Sequence, residues 1–403
     1  SMAFDASIRR LFPFVHAKEG IAYLDSAAST QMPETAIDAM HHAARAGLGN
    51  PHRGIHPLGD EATALYDSAK KTVADFLNAT PDNIVFTKNT TEALNLAARS
   101  LGESWSEGDV VAVTRLEHHS NILPWQQLST RGVEVRWIGI TPDGLLDEKD
   151  VANALRDERV KLLAVTGQSN VLGVRPDVKM LVAKAKSIGA LTCVDAAQLA
   201  GHAHIDVKDI GCDLLALSGH KTYGPTGIGA LYGTKEILST MPPFLTGGGM
   251  VREVHDDGFI PFEDATRFEA GTPPLLPAIG WAAALQWQTA IPWSDREAHE
   301  RELVNLLLDE LRSIDGVTIL GPGDDRAYGC VSFTVDGAHP HDIGHLLGES
   351  GVCVRAGHHC AGPLHAALGV TASVRASIGL YTDANDIRAL APAIRKAQSV
   401  LRR

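Results

Sequence analysis

The sequence predicts an α/β protein: a large domain on a mostly parallel sheet flanked by helices, followed by a smaller α+β C-terminal domain. Three observations carry that expectation. From about Asn83 onward, short β-branched runs alternate with helical patterns, the arrangement that folds into a parallel sheet covered by helices. The chain has 403 residues, 44% hydrophobic and 21% charged, enough for a substantial core and more than one domain usually holds. After "PPFLTGGGM" (242–250) the composition shifts: glycine- and proline-rich segments run to about Pro292, and a charged amphipathic helix begins near Trp293.

The strands of the large domain are read at "VVAVT" (110–114), "EVRWIGI" (134–140), "KLLAVTG" (161–167), "ALTCVDAAQ" (190–198) and "DLLALSG" (213–219). Before the fourth, "DVKMLVAKAKSIG" puts Val178, Leu181, Val182, Ala185 and Ile188 on one helical face and closes on Gly189 as a C-cap, which makes one βαβ unit. The tail offers strands at "CVSFTV" (330–335) and "GVCVRAG" (351–357), a helix between them from about His341, and a final helix rich in Ala, Ile and Arg. The expected domains are therefore 16–292 and 293–403, with 1–15 packing near the smaller one.

Composition narrows the function classes. A formal charge of −12 and a pI near 5.8 argue against a nucleic-acid partner, which needs clustered Lys and Arg. No basic amphipathic helix suits a membrane surface, no apolar run reaches spanning length, and "SMAFDASIRRLFPF" lacks a signal-peptide apolar stretch, so a cytoplasmic protein without a membrane partner is expected. The five cysteines are odd in number and lack a CxxC spacing, which reads as reduced thiols.

Four motifs carry chemistry. In "FTKNTTEALNLAAR" (86–99) a strand turns into a helix at Thr90-Thr91; free N–H groups and the helix dipole there suit a phosphate, or the site is an ordinary N-cap with Glu92 in the first turn. In "ALSGHKTYGPTGIGALYG" (216–233) Lys221 follows a strand, Ser218 and His220 flank it, and glycines 219, 224, 227 and 229 allow tight turns. A lysine held there forms a Schiff base, unless it is a solvated loop residue; it precedes the glycines, so the loop is not a Walker motif. Asp195, with Gln198 after it, closes an apolar strand at the ligand-binding carboxyl edge. Its carboxylate pairs with a protonated pyridine nitrogen, as in pyridoxal phosphate, or caps a helix. In "RAGHHCAGP" (355–363), Cys360 is a metal ligand, a nucleophile or core packing. Three successive residues of an extended strand point alternately up and down, so they cannot all ligate one metal without a sharp bend.

Together "YLDSAASTQMP", "NPHRGIHPL", "KNTTEALNL", "LEHHSNILPWQ", "SNVLG", "VDAAQ", "SGHKTYGPTG", "RFEAGTPP" and "RAGHHCAGP" resemble, in order and spacing over nearly the whole chain, the class V aminotransferase superfamily of fold-type I pyridoxal 5'-phosphate enzymes. More narrowly, they resemble its Suf-type (group II) cysteine desulfurases. The resemblance implies that Lys221 is the Schiff-base lysine, Asp195 the partner of the pyridine nitrogen and Gln198 that of the phenolic oxygen. It implies Thr90, Ser218 and His220 as phosphate ligands, Thr272 as the phosphate contact from the neighbouring subunit of a homodimer, and His118 as the imidazole stacked on the ring. Asn170 and Arg375 match the groups that hold the substrate carboxylate. Cys360 then reads as the nucleophile that takes sulfur from L-cysteine as a persulfide, leaving L-alanine, for iron–sulfur cluster assembly. Arg355, His358 and His359 are placed to favour its thiolate, His118 to shuttle its proton, and the other four cysteines to pack.

An acceptor protein of SufU or SufE type is implied. His341, in "HPHDIGHLL" (339–347), matches a histidine that becomes a zinc ligand in the complex with a SufU-type acceptor; no intrinsic metal is implied. Gly362, His365 and Thr382 depart from the family pattern and are expected to loosen the Cys360 loop or alter the acceptor surface. Selenocysteine lyase, another class V reaction such as transamination, and a non-enzymatic scaffold are the alternatives. A cysteine peptidase would leave Asp195 and Lys221 unexplained.

Overall fold

The computed structural model describes residues 2–402. After a short strand β1 (Ala22–Tyr23), the chain lays down β2 (Ile84–Thr87), β3 (Val110–Thr114), β4 (Glu134–Ile138), β5 (Val160–Thr166), β6 (Leu191–Asp195), β7 (Leu214–Ser218) and β8 (Gly229–Gly233). The last seven form one sheet in the order β2-β8-β7-β6-β5-β3-β4. Its neighbours from β7 to β4 are parallel, whereas β8 runs antiparallel to both β7 and β2.

Both faces of this sheet are covered, so its strands are apolar throughout, and the period of two decides which core each side chain joins. Val110, Ala112, Leu163, Val165, Leu215 and Leu217 join one core. Val111, Val113, Leu162, Ala164, Leu214 and Ala216 join the other. The helix Val178–Ser187 buries Val178, Leu181, Val182 and Ala185 as expected.

A hairpin, β9 (Val251–His255) and β10 (Gly258–Pro261), stands apart from the large sheet. The C-terminal part adds β11 (Val317–Ile319), β12 (Cys330–Val335), β13 (Val352–Cys353), β14 (Arg355–Gly357) and β15 (Ser373–Ser377). Four of these make an antiparallel sheet in the order β11-β12-β15-β14. Its core takes Leu303, Leu307 and Leu311 from the helix Trp293–Arg312, Ile343 and Leu347 from Pro340–Glu349, and Ile394 and Ala397 from Leu390–Leu401.

Four details differ from the sequence expectation. The run 351–357 is two strands: β13 pairs in parallel with β1, β14 antiparallel with β15. Residues 22–23, which the boundary at 16 puts with the large domain, thus join the smaller body. The glycine run 216–233, expected to allow tight turns, ends in the strand β8. The segment before Pro292 contains the helix Leu275–Thr289, apolar on nearly every face because it is enclosed. At Gly280 a Cβ would lie 2.6 Å from Met40 Sδ, so the glycine permits close packing against the helix Glu34–Ala46. Among the described residues, no helix is long and apolar enough to cross a membrane.

Candidate active site

The site lies at the carboxyl ends of the parallel strands, where each strand stops and its loop can turn a side chain over the sheet edge. β6 ends on Asp195, β7 on Ser218 with Lys221 just beyond it, and the loop after β5 carries Gln168 and Asn170. Thr90, His118, Asn170, Asp195, Gln198, Ser218, His220 and Lys221 line one cavity.

The phosphate-like end is the start of the helix Thr90–Gly102. Asn89 caps it, its side chain accepting from Glu92 N–H at 2.9 Å. Thr90 N–H donates to Ser218 Oγ at 2.8 Å, and the two hydroxyls lie 2.6 Å apart. Gly229 lets β8 approach this turn, since a Cβ there would sit 2.8 Å from Asn89 Cα. Of the four glycines read as tight-turn residues, only Gly227 has a positive φ, 87°; 219, 224 and 229 serve close approach instead.

Asp195 is 4% exposed. Burial pushes its carboxyl up, opposed by Ala197 N–H, which donates to it at 3.0 Å, and by Lys221. Burial and the Arg375 charge bring Lys221 down to about 8, against the pull of Asp195, so a useful fraction of free amine exists near neutrality. His118 is brought down to about 3, chiefly by burial and then by Lys221; its Nδ1 accepts from Ser120 N–H at 3.0 Å, which leaves the ring proton on Nε2. His220 falls to about 4 for the same two reasons. Gln198 Nε2 donates to Ala27 O at 2.8 Å.

Asn170 and Arg375 come together. Arg375 Nη1 donates to Asn170 O at 3.0 Å, Asp25 Oδ1 lies 3.6 Å from its Nη2, and Asn170 Nδ2 donates to His359 O at 2.8 Å. Buried Asn170 Oδ1, Arg375 Nε and Arg375 Nη2 have no hydrogen-bond partner, the signature of a polar subsite built for something else.

Cys360 is half-buried and does not line the Lys221 cavity, yet it is close enough that a thiolate there would favour the charged lysine. Arg355 Nη2 is 3.7 Å from its Sγ. His359 and Cys360 have φ of 52° and 54°. The extended strand assumed for these residues is thus a left-handed turn. The bend exists, but it sends His359 away from Cys360 to Ser373 Oγ, 3.0 Å from its Nε2. Burial and Arg375 take His359 down to about 2, so no cationic imidazole supports a thiolate from there. Among the described residues no group of three or more His, Cys, Asp or Glu is arranged to hold a metal.

The departures from the family pattern act differently from the loosening expected of them. His365 is buried beneath the loop. Its Nδ1 is 2.9 Å from Ala361 O, which can only accept, so in the neutral ring Nε2 accepts from Ser373 Oγ at 2.9 Å and Ser373 accepts from His359. Buried Thr382 accepts from Gly379 N–H at 2.9 Å. Both tighten the structure. Thr272 is exposed and lies in another cavity, with Lys88 and Gly227. His341 is exposed on the helix Pro340–Glu349, stacked on His339 with ring centroids 5.1 Å apart.

Sequence reasoning passed over two residues of "LEHHSN". Glu117 is fully buried behind the site and receives Thr114 Oγ1–H and, at 2.7 Å, Asn121 Nδ2–H; burial takes it up to about 8. His119 bonds the Cys360 loop. Their signal was adjacency to His118. A helix N-terminus, a buried carboxyl and an amine on one cavity, with a guanidinium nearby whose Nε and Nη2 lack hydrogen bonds, fit a phosphorylated, basic-ring carbonyl cofactor together with an amino-acid carboxylate.

A family model described as aminotransferase class-V matches residues 22–390. A probable cysteine desulfurase 2 of Mycobacterium leprae is 43% identical, covering 97% of this chain and 96% of its own. Among solved structures, the apo cysteine desulfurase of Thermococcus onnurineus NA1 superposes with a TM-score of 0.94 at 39% identity, covering 99% of both chains. The cysteine desulfurase CsdA of Escherichia coli, in its S-sulfonic acid form, gives 0.90 at 36% identity, covering 98% of both.

Proposed function

The chain belongs to the class-V aminotransferase family, and on that premise we propose a cysteine desulfurase that converts L-cysteine to L-alanine and keeps the sulfur as a persulfide on Cys360. Residues 16–292, apart from the strand 22–23, make the cofactor domain, and 293–403 the smaller one. Two residues of the segment 1–15 support its place near the latter: Arg9 donates to Asp386 at 2.7 Å, and Phe12 meets Tyr381 with ring centroids 4.9 Å apart while also touching Tyr223 and Trp287.

Pyridoxal 5'-phosphate is the cofactor, and when bound it supplies a carbonyl for the substrate amine and a ring that takes up the electron pair released at Cα. Thr90, Ser218 and His220 hold its phosphate, with Thr272 of a second copy completing that shell. Asp195 would keep the pyridine nitrogen protonated, Gln198 would bond the phenolic oxygen, and His118 would lie against the ring. Arg375 takes the substrate carboxylate on its unpartnered Nε and Nη2, and Asn170 donates to it from Nδ2, which bonds His359 O in the free site. The Lys221 amine removes the Cα proton. The Cys360 thiolate, beside Arg355, attacks the substrate sulfur; the Cβ–S bond breaks, an S–S bond forms, and the three-carbon product takes up protons to become alanine. His118 is assigned the relay of a proton between thiol and substrate, beginning as the donor through Nε2–H, since burial and Lys221 keep its ring neutral in the free site.

The joint placement of Lys221 and Asp195 in one cavity, with the Cys360 loop bonded to the residue after His118, carries this reading. The test is alanine formed from L-cysteine by holoenzyme with a reductant, beside Cys360→Ser and with selenocysteine as a parallel substrate. Alanine that needs Cys360 supports the reading. Turnover indifferent to Cys360, or alanine from selenocysteine alone, moves the assignment to another class V reaction or to the lyase.

A Suf-type role with a SufU- or SufE-like acceptor is part of the proposal. It is supported by a thiol that is half-buried on a bonded loop and so better suited to a docked acceptor than to free reach. The exposed ring of His341 lies 3.9 Å from where a Cβ on Gly357 would stand, and its exposure supports the proposed contact with an acceptor's zinc. If a zinc-loaded acceptor stimulates His341→Ala as strongly as the parent, that contact is wrong. Five free thiols support a reducing, cytoplasmic compartment, and a net charge of −12 argues against a nucleic-acid partner.

A further inference from the structure

The backbone at Cys360 is costly. Two successive non-glycine residues with positive φ persist only where their surroundings hold them. Asn170 bonds His359 O, and the His365–Ser373 pair bonds His359 Nε2. A further anchor, from outside the small domain, is His119, in the short helical turn His119–Asn121 after β3.

Its backbone N–H donates to Cys360 O at 2.6 Å. Its Nε2 accepts from Gly362 N–H at 2.9 Å. Gly362 opens the helix Gly362–Ala367, where the first N–H groups have no acceptor within the helix, so His119 caps that helix from across the domain boundary. A Cβ at 362 would stand 3.3 Å from His119 Nε2; the glycine admits the imidazole, which gives this departure from the family pattern a physical reason.

We propose that His119 is the positioning residue for Cys360: its neutral imidazole, accepting from Gly362, and its backbone N–H on Cys360 O hold the nucleophile's loop against the element that carries His118. The inference rests on Cys360 being the nucleophile. The titratable groups facing the ring are His118 beside it in the chain and His358 on the loop, with ring centroids 6.4 and 5.4 Å away. Burial, then His358, lowers the His119 pKa, so the ring stays an acceptor to below the ordinary histidine range. Once protonated it carries N–H groups on both nitrogens and meets the Gly362 N–H donor to donor; the side-chain half of the tether is lost, while the backbone bond to Cys360 O remains.

The experiment uses holoenzyme of the parent, His119→Ala, His119→Gln and Cys360→Ser. It follows alanine formation from about pH 5 to 8, iodoacetamide labelling of Cys360 without substrate, and the cofactor's spectral response to L-cysteine. His119→Ala is expected to keep the spectral response, which precedes sulfur transfer, to lose about tenfold or more in alanine formation, and to label at least threefold faster. His119→Gln, whose amide oxygen accepts from Gly362 but does not titrate, should recover most of the rate and lose the acid fall-off that this histidine causes in the parent. Parent-like labelling and rate in His119→Ala, or a His119→Gln as impaired as His119→Ala, overturn the inference. Undiminished turnover by Cys360→Ser overturns the nucleophile assignment itself, so the two failures are separable.

Discussion

Arg375 is 1% exposed, yet its Nε and Nη2 have no hydrogen-bond partner. A buried guanidinium left so is costly unless a ligand completes it, and a carboxylate that takes two parallel N–H bonds does so. Lysine keeps the charge but loses the fork. Arg375→Lys is therefore expected to lower kcat/KM for L-cysteine by about 100-fold, equivalent to about 3 kcal/mol, mostly through KM. Steady-state alanine formation checks it, and an unchanged KM would remove the residue from the carboxylate site. At this scale Lys221, Asp195 and Ser218 were legible, because each sits where a strand ends and its chemistry follows from residue type. The turn at His359 and Cys360 was not. Nothing in "GHHCAG" marks a left-handed pair, since neither residue is glycine and the conformation is imposed from outside.

The helix Trp293–Arg312 starts where its amphipathic pattern begins, but the side chains that join it to the large body were not anticipated. Glu300 Oε2 accepts from His202 Nδ1 at 2.8 Å, and Arg175 donates to His202 O at 3.3 Å. Burial alone would raise the Glu300 pKa; His202, Arg175 and Arg296 outweigh it and hold the carboxyl below its ordinary range. A depressed carboxyl stabilises the fold above its unfolded pKa and loses that contribution as pH falls through the folded one. Glu300→Gln is expected to cost about 3 kcal/mol at neutral pH, with the gap to the parent closing as the solution is acidified below about pH 4. Thermal unfolding of both proteins over pH measures this; a gap independent of pH would mean that packing, not charge, is what Glu300 supplies. β8 and the helix Leu275–Thr289 escaped the pattern for one shared reason. Both are enclosed, so no polar face alternates with the apolar one.

Large exposed apolar side chains concentrate in two stretches, Ile55 and Leu58 in one, and Leu245, Val254, Phe259, Phe262 and Leu276 in the other. Ile55 is 100% exposed, a cost in water that a second copy would remove. Thr272 lies in the second stretch and outside the Lys221 cavity. Light scattering is expected to give twice the chain mass of 42.9 kDa. Ile55→Glu should shift the protein toward monomer and weaken cofactor retention together; a monomeric parent with full cofactor loading would refute the shared site.

By itself the sequence determined the parallel sheet and the placing of Asp195, Ser218 and Lys221 along one edge, since strand period and strand ends are local properties. The tertiary structure alone decided that residues 22–23 pair with 352–353, that His365 supports the Cys360 loop instead of loosening it, and that His119 meets Gly362. Each joins segments far apart in the chain, and a contact made only when two bodies close leaves no periodicity in either segment.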